Sequence, residues 1–170
     1  MSTSDSPKLY VACLASYNAG TLYGVWIDTA DCDDLDDLEN AVQAMLSDSP
    51  ERGEEWAIHD YEGFPMKLGE HESLADVWRW VELLRDHDRD VVTAAAVAFT
   101  TDELGDALEN FGGVYDQAGE YAEEALEGSY EIPKELAPYI DWKAMEHDME
   151  CNGEVTCVEH EGRRYYFRCW

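Results

Sequence analysis

With 170 residues, 45% of them hydrophobic and 12% aromatic, the chain can bury a real core without disulfide or metal staples, and it is no acidic disordered tail. Its 39 Asp and Glu against 11 Lys and Arg leave a formal net charge of −28 at pH 7, a field that repels phosphate and excludes an ordinary nucleic-acid site. Such acidity has three readings: simple solubility, adaptation to a salt-rich host, or charge presented to a basic partner. Met1 to Pro7 is polar and acidic, and no apolar run approaches the length of a membrane span, so the expectation is a soluble cytoplasmic protein with no membrane contact. Five cysteines (Cys13, Cys32, Cys151, Cys157, Cys169), an odd number without dense spacing, read as reduced thiols.

Lys8-Leu-Tyr-Val-Ala-Cys-Leu-Ala15 is β-rich and apolar on both sides, as in a central strand. Ser16-Tyr-Asn-Ala-Gly20 supplies turn residues, and Leu22 to Asp28 reads as the antiparallel return strand. Asp31-Cys-Asp33-Asp34-Leu-Asp36-Asp37-Leu-Glu39 packs six acids into nine residues and leads into a helix with Leu35, Leu38, Val42, Met45 and Leu46 on one face. Asp33 or Asp34 suits its N-cap, and acids in the first turn favour the helix dipole. Neither Gly nor Glu falls where a calcium loop needs it. Glu54 to Glu62 reads as a third strand, Trp56 and Ile58 alternating with Ala57 and His59, and Gly63-Phe-Pro65 breaks it.

The period then becomes helical. Ser73 with Asp76 resembles a capping box before the apolar face Leu74, Val77, Trp78, Val81 and Leu84. Val91 to Phe99 fits helix or strand by pattern, and its alanine run favours helix. Thr100 with Glu103 repeats the box before Leu104, Ala107, Leu108 and Phe111, and Gly112-Gly113 is the expected stop. From Asp116 to Glu127 a further helix sets Ala118, Tyr121, Ala122, Ala125 and Leu126 against a stripe of Glu120, Glu123, Glu124 and Glu127. Like charges so spaced cost a few tenths of a kcal/mol each in an isolated helix, and no Lys or Arg relieves them. After breakers at Pro133 and Pro138 come a short helix from Asp141 to Met149, with Trp142, Met145 and Met149 inward, and a hairpin turning at Glu161-Gly162.

Little of this supports chemistry. His147, Cys151, Cys157 and His160 are spaced H-x3-C-x5-C-x2-H, which matches no zinc pattern, so we expect core thiols and surface histidines. Acids are so abundant that no catalytic pair is selected, and phosphate-binding glycine loops and nucleophile elbows are absent. The expectation is no catalytic residue, no metal and no cofactor. Arg163, Arg164 and Arg168 are the one basic cluster, expected to form ion pairs within the sheet or across a subunit contact.

Three stretches taken together resemble a known family: Leu9-Tyr-Val-Ala-Cys-Leu14; Tyr17-Asn-Ala-Gly-Thr-Leu-Tyr-Gly-Val-Trp-Ile-Asp28; and Glu54-Glu-Trp-Ala-Ile-His-Asp-Tyr-Glu-Gly-Phe64. In this order and spacing they resemble the ArdA antirestriction proteins of conjugative plasmids, transposons and phages. Phe111-Gly-Gly-x-Tyr115 before an acidic helix agrees with the family more loosely. The resemblance implies an α+β fold of three small domains in an elongated row. These would be 1–62 (antiparallel sheet plus helix), 63–102 (helical bundle) and 103–170 (helices with a short antiparallel sheet, and the dimer contact). It implies a homodimer that imitates the charge of B-DNA, binds no nucleic acid, and occupies the groove of the methyltransferase core of a type I restriction-modification enzyme. An acidic chaperone or adaptor for another basic protein is the alternative. The imitating surface is expected at Asp31, Asp33, Asp34, Asp36, Asp37, Glu39, Glu54, Glu55, Asp60, Glu62, Asp102, Glu103, Asp106, Glu109, Asp116, Glu120, Glu123, Glu124 and Glu127. The family's antirestriction stretch falls at or just after Asp116 to Glu127. Duplex DNA carries about one charge per 1.7 Å, so a net of −28 matches roughly 48 Å of duplex.

Overall fold

A computed structural model describes residues 6–170; the expectation drawn from the first five residues lies outside the described residues. Strand β1 (Lys8–Cys13) takes its central place because both its faces are apolar: Leu9, Val11, Ala12 and Cys13 are fully buried. It pairs antiparallel with β2 (Gly24–Asp28) on one side and β3 (Trp56–Glu62) on the other, giving the order β2-β1-β3. Two local expectations change. A short helix, α1 (Leu14–Asn18), takes up the end of the expected first strand and the start of the turn. The register in β3 passes from Tyr10↔Asp60 to Val11↔Ile58, so His59 bulges out and the expected alternation fails, with Ala57 and Ile58 both buried. Gly24 is required where it stands, since a Cβ there would lie 2.5 Å from the Val11 carbonyl oxygen.

Helix α2 (Leu35–Asp48) starts at Asp34, whose carboxylate accepts the Asp37 N–H at 3.0 Å, while the Asp37 carboxylate accepts the Asp33 N–H at 2.9 Å. Leu38, Val42, Met45 and Leu46 bury against the sheet. Helix α3 (Leu74–Asp86) is capped as expected, Ser73 Oγ accepting the Asp76 N–H, and adds Val77, Trp78 and Val81 to the same core.

The second sheet forms separately. Helix α4 (Arg89–Ala98) is capped by Asp88 and buries Val91, Val92, Ala94 and Ala95, so the alanine run is helical. Helix α5 (Leu104–Glu109) follows a turn in which the Glu103 carboxylate accepts the Thr100 hydroxyl at 2.7 Å and its N–H at 2.9 Å. Those bonds hold the Glu103 carboxyl below its ordinary value. Gly112-Gly113 does not stop a helix: Phe111–Tyr115 is strand β4, an edge of the sheet β4-β6-β5. A Cβ on Gly112 would meet the Tyr121 ring at 3.0 Å and the Tyr166 carbonyl at 3.2 Å, so the glycine lets the strand lie against tyrosine. Helix α6 (Glu120–Glu127) begins later than expected, after a turn through Gly119 at φ 96°. Strands β5 (Val155–His160) and β6 (Arg163–Arg168) form the expected hairpin, with Glu161 and Gly162 both at positive φ as a two-residue type I′ turn needs.

Helix α7 (Trp142–Cys151) corrects a further expectation. Met145 is exposed, and the residue turned inward is Glu146, 2% exposed. Its carboxylate accepts the Tyr166 hydroxyl at 2.7 Å and the Gly119 N–H at 2.8 Å, with Arg164 Nη2 3.7 Å away. Arg164 Nε donates to the same Tyr166 oxygen at 2.8 Å. Tyr166 stacks on Tyr121 with centroids 4.6 Å apart and planes 3° from parallel, and Tyr115 stands edge-on to both. Burial, then the Glu146 carboxylate, pushes the Tyr166 phenol far up; burial and the nearby Glu124 carboxylate push Tyr115 up to about 12; burial raises Tyr121.

The described residues thus make seven helices and two small antiparallel sheets, an α+β architecture. They gather into two compact units, Met1–Asp86 and His87–Trp170. Helix α3 shares the core of the first, whereas α4 and α5 pack on β5 and β6 of the second.

Removing the buried carboxylate by Glu146→Ala would strand Tyr166, the Gly119 N–H and Arg164, at a cost of about 3 kcal/mol. Glu146→Gln keeps the acceptor oxygen and should lose less, a ranking that thermal melts of the two variants would check. A phenol raised on folding contributes stability that is complete below pH about 10 and lost as pH climbs toward 12. Tyrosinate absorbance should therefore rise in two phases, the late one coinciding with loss of near-ultraviolet circular dichroism; a single phase at the ordinary phenol value would contradict the buried stack.

Candidate functional site

The charge is divided evenly. Met1–Asp86 holds 19 acids and 5 Lys plus Arg, and His87–Trp170 holds 20 and 6, so each unit carries −14. What a carboxylate does depends on which atoms it meets, and the acids separate into three kinds. The kinds overlap, since exposed Asp116 is also paired and exposed Asp34, Asp37, Asp60 and Glu103 also cap the backbone.

The first kind is turned inward or tied to a cation. Glu146 is buried among Tyr166, Gly119 and Arg164. Arg164 also pairs with Glu159 at 2.8 Å, and Arg163 with Asp116 at 3.1 Å, so two of the three clustered arginines form pairs inside their own unit. Arg164 is held firmly cationic, chiefly by its hydrogen bond to Tyr166.

The second kind caps the backbone. Asp34, Asp37, Glu103 and Asp60 each accept a main-chain N–H close in sequence. Glu120, expected as one more member of the stripe, accepts the N–H groups of Asp116 and Gln117 at 3.1 and 3.0 Å and is half-buried. These carboxylates keep their charge and an outer face while closing a turn.

The third kind is carried outward. Of the nineteen acids singled out from the sequence, Glu120 and Glu123 are half-buried and the other seventeen are exposed. They fall into patches set by the elements beneath them. Asp31, Asp33, Asp34, Asp36, Asp37 and Glu39 ride on the loop and first turn of α2. Glu54 and Glu55 precede β3 and Asp60 and Glu62 lie in it, Asp102 to Glu109 lies around α5, and Asp116 to Glu127 leads into and along α6. Glu124 sits close enough to the Tyr115 hydroxyl to raise it, so the stripe on α6 is partly anchored to the aromatic stack.

The first patch has a support that the sequence reading missed. Arg85, in the last turn of α3, donates to the Thr29 and Cys32 carbonyls at 2.7 Å each and to that of Asp33 at 3.5 Å, and its guanidinium lies 4.8 Å above the Trp78 ring. Arg85 lies 46 residues beyond the acidic run in the sequence, so no local signal joined the two. Glu146 follows the i, i+4, i+7 spacing of an inner face with Trp142 and Met149, but Met145 fits the same face at i, i+3, i+7, so spacing alone does not choose between them.

The four candidate metal ligands are not drawn together. Cys151 Sγ and His147 Nε2 are 3.5 Å apart on α7, while among the described residues the ligand-type atoms that converge within 4.8 Å are those of Asp90, His160 and Glu161. Burial raises the Cys157 thiol, as suits a thiol packed beside Tyr166. Among the described residues no helix is long and apolar enough to cross a membrane.

The arrangement is therefore a broad set of outward carboxylates on two small α+β units. No curated protein matches the chain. The family described as Antirestriction protein (ArdA) matches residues 9–163, a span that takes in all nineteen acids, and the chain belongs to that family.

Proposed function

We propose that this protein inhibits type I restriction-modification enzymes by presenting its carboxylates in place of the phosphates of B-DNA. The observation that carries this reading is the outward display of seventeen acids from patches in both units, each unit bearing −14. A DNA groove gains affinity by neutralising phosphates with Lys and Arg. Carboxylates claim the same cations while offering no base sequence, no cleavable backbone and no methyl acceptor. Because phosphate contacts carry little sequence information, enzymes of different specificity are inhibited alike, and both cleavage and modification are blocked.

In this reading 1–62, 63–102 and 103–170 are three domains whose imitating acids lie chiefly in the first and last, with Asp102 in the middle one, and two copies pair through the last. Exposed Tyr130, Leu136 and Tyr139, just beyond α6, supply apolar area for such a pairing. The protein acts in the cytoplasm, where incoming unmodified DNA meets the restriction enzyme, and it needs no cofactor.

Plating unmodified phage on a restricting host should give higher efficiency when the protein is present. In solution, inhibition should compete with duplex DNA and weaken by at least about tenfold between 50 and 200 mM salt. Inhibition unaffected by salt, or a complex holding DNA and inhibitor together, would remove the mimicry reading; an adaptor for some other basic protein would leave restriction untouched.

The stripe can be tested without disturbing its caps. Glu123→Lys with Glu127→Lys, leaving Glu120 on its two N–H donors, should keep the melting temperature within a few degrees and weaken inhibition. Undiminished inhibition would take α6 out of the contacting surface.

A further inference from the structure

We propose that Arg85 is a positioning residue for inhibition: it fixes the backbone of the 29–34 loop so that the carboxylates from Asp31 to Asp37 meet the partner in one arrangement. This rests on the mimicry reading above. Five aspartates between positions 31 and 37 repel one another, and a free loop bearing them would spread its charges over many geometries. Regular structure holds little of it: the 3-10 turn Thr29–Asp31 is three residues long, and α2 starts only at Leu35.

The two ends of the loop are secured independently. Thr29, 1% exposed, donates both its N–H and its hydroxyl to the Pro7 carbonyl, and Asp34 caps α2. Between them the chain turns so that the Thr29 and Cys32 carbonyls converge on one guanidinium nitrogen, Nη2 of Arg85, at 2.7 Å each. Arg85 is itself held from below, by the Trp78 ring and by the last turn of a helix whose Val77, Trp78 and Val81 lie in the core.

The choice of acceptor matters. A cation added to relieve repulsion would ordinarily pair with the carboxylates and cancel charge on the surface. Arg85 reaches main-chain oxygens, while Asp31, Asp33, Asp34, Asp36 and Asp37 all remain exposed. It steadies the backbone through carbonyl dipoles and leaves the acids facing outward. The planar fork suits this task; a lysine ammonium offers no comparable fixed geometry for converging carbonyls and no stacking on the indole.

The test uses the whole chain with Arg85→Met and Arg85→Lys, each in the parent and in a background carrying Asp31→Asn, Asp33→Asn and Asp36→Asn, which spares the capping Asp34 and Asp37. Amide exchange at Ala30, Cys32 and Asp33 should quicken about tenfold in Arg85→Met while Leu9 and Val11 in β1 stay protected. Inhibition of a purified type I restriction-modification enzyme acting on unmodified duplex should weaken about tenfold in Arg85→Met and less in Arg85→Lys. In the triple-Asn background the same substitution should have a markedly smaller effect, because of the five acids it positions only the capping Asp34 and Asp37 still bear charge. Equal losses in both backgrounds, or faster loop exchange with undiminished inhibition, would overturn the proposal while leaving mimicry intact. Should Arg85→Met unfold β1, the comparison rests on Arg85→Lys, with the same two outcomes. Failure of mimicry itself is read separately, from a parent protein that duplex DNA does not displace.

Discussion

Self-repulsion is the constraint that this structure answers. Two like charges 4 Å apart cost about 1 kcal/mol even in water and more beside a protein surface, and this chain of 170 residues carries a net of −28. Folding must bring those acids nearer to one another than they are in the open chain. With 11 Lys and Arg for 39 acids, neutralising charge by charge is not available.

The described fold uses its cations at leverage points and backbone dipoles elsewhere. Arg164 serves the buried Glu146, the Tyr166 hydroxyl and Glu159 at once, and so joins α7 to β6. Arg85 binds carbonyls at the head of the most acidic stretch. Main-chain N–H groups then act as the commonest counter-charges: Asp34, Asp88, Asp141, Glu103 and Glu120 each close a turn or start a helix by accepting from them. An acid used in this way stabilises the fold and still leaves its charge at the surface. Acidity and foldability are thus less opposed than the net charge suggests.

This also explains what could be read from the sequence. The first sheet, α2, α3 and the last hairpin were legible because each has an uninterrupted period, a capping residue or a two-residue turn signal, and the ArdA resemblance rested on those same N-terminal residues. Departures occurred where a long-range contact overruled a local signal. Gly112-Gly113 signals a helix stop, yet the pair lies in β4 because the Tyr121 ring and the Tyr166 backbone leave no room for a Cβ at Gly112. His59 falls out of alternation through a bulge that the partner strand β1 imposes. Glu146 defeats the rule that charged residues face outward, since its partners come from β6 and from the turn before α6, which no local window contains. Seventeen of the nineteen acids singled out are exposed, but the division of labour among them was invisible: Glu120 and Glu124 look alike on a helical wheel, and one holds two backbone donors while the other lies beside the half-buried Tyr115 phenol.

That division bears on how an acidic surface acquires shape. Free carboxylates on flexible side chains supply charge but little order, whereas a duplex presents its phosphates at fixed intervals, and a groove built for DNA discriminates on spacing as well as sign. Spacing on this protein has to come from the backbone beneath the acids. The most acidic run is tied down at Pro7, Arg85 and Asp34, and the stripe on α6 is tied at Gly119, Glu120 and the tyrosine stack. In both places the ties are made to main-chain atoms or to inward groups, so the outward acids keep their charge. An acidic coat serving solubility alone has no need of such anchoring, because hydration depends on the number of charges and hardly on their arrangement. The anchoring therefore supports the proposed reading, in which the partner reads the position of these charges as well as their sign.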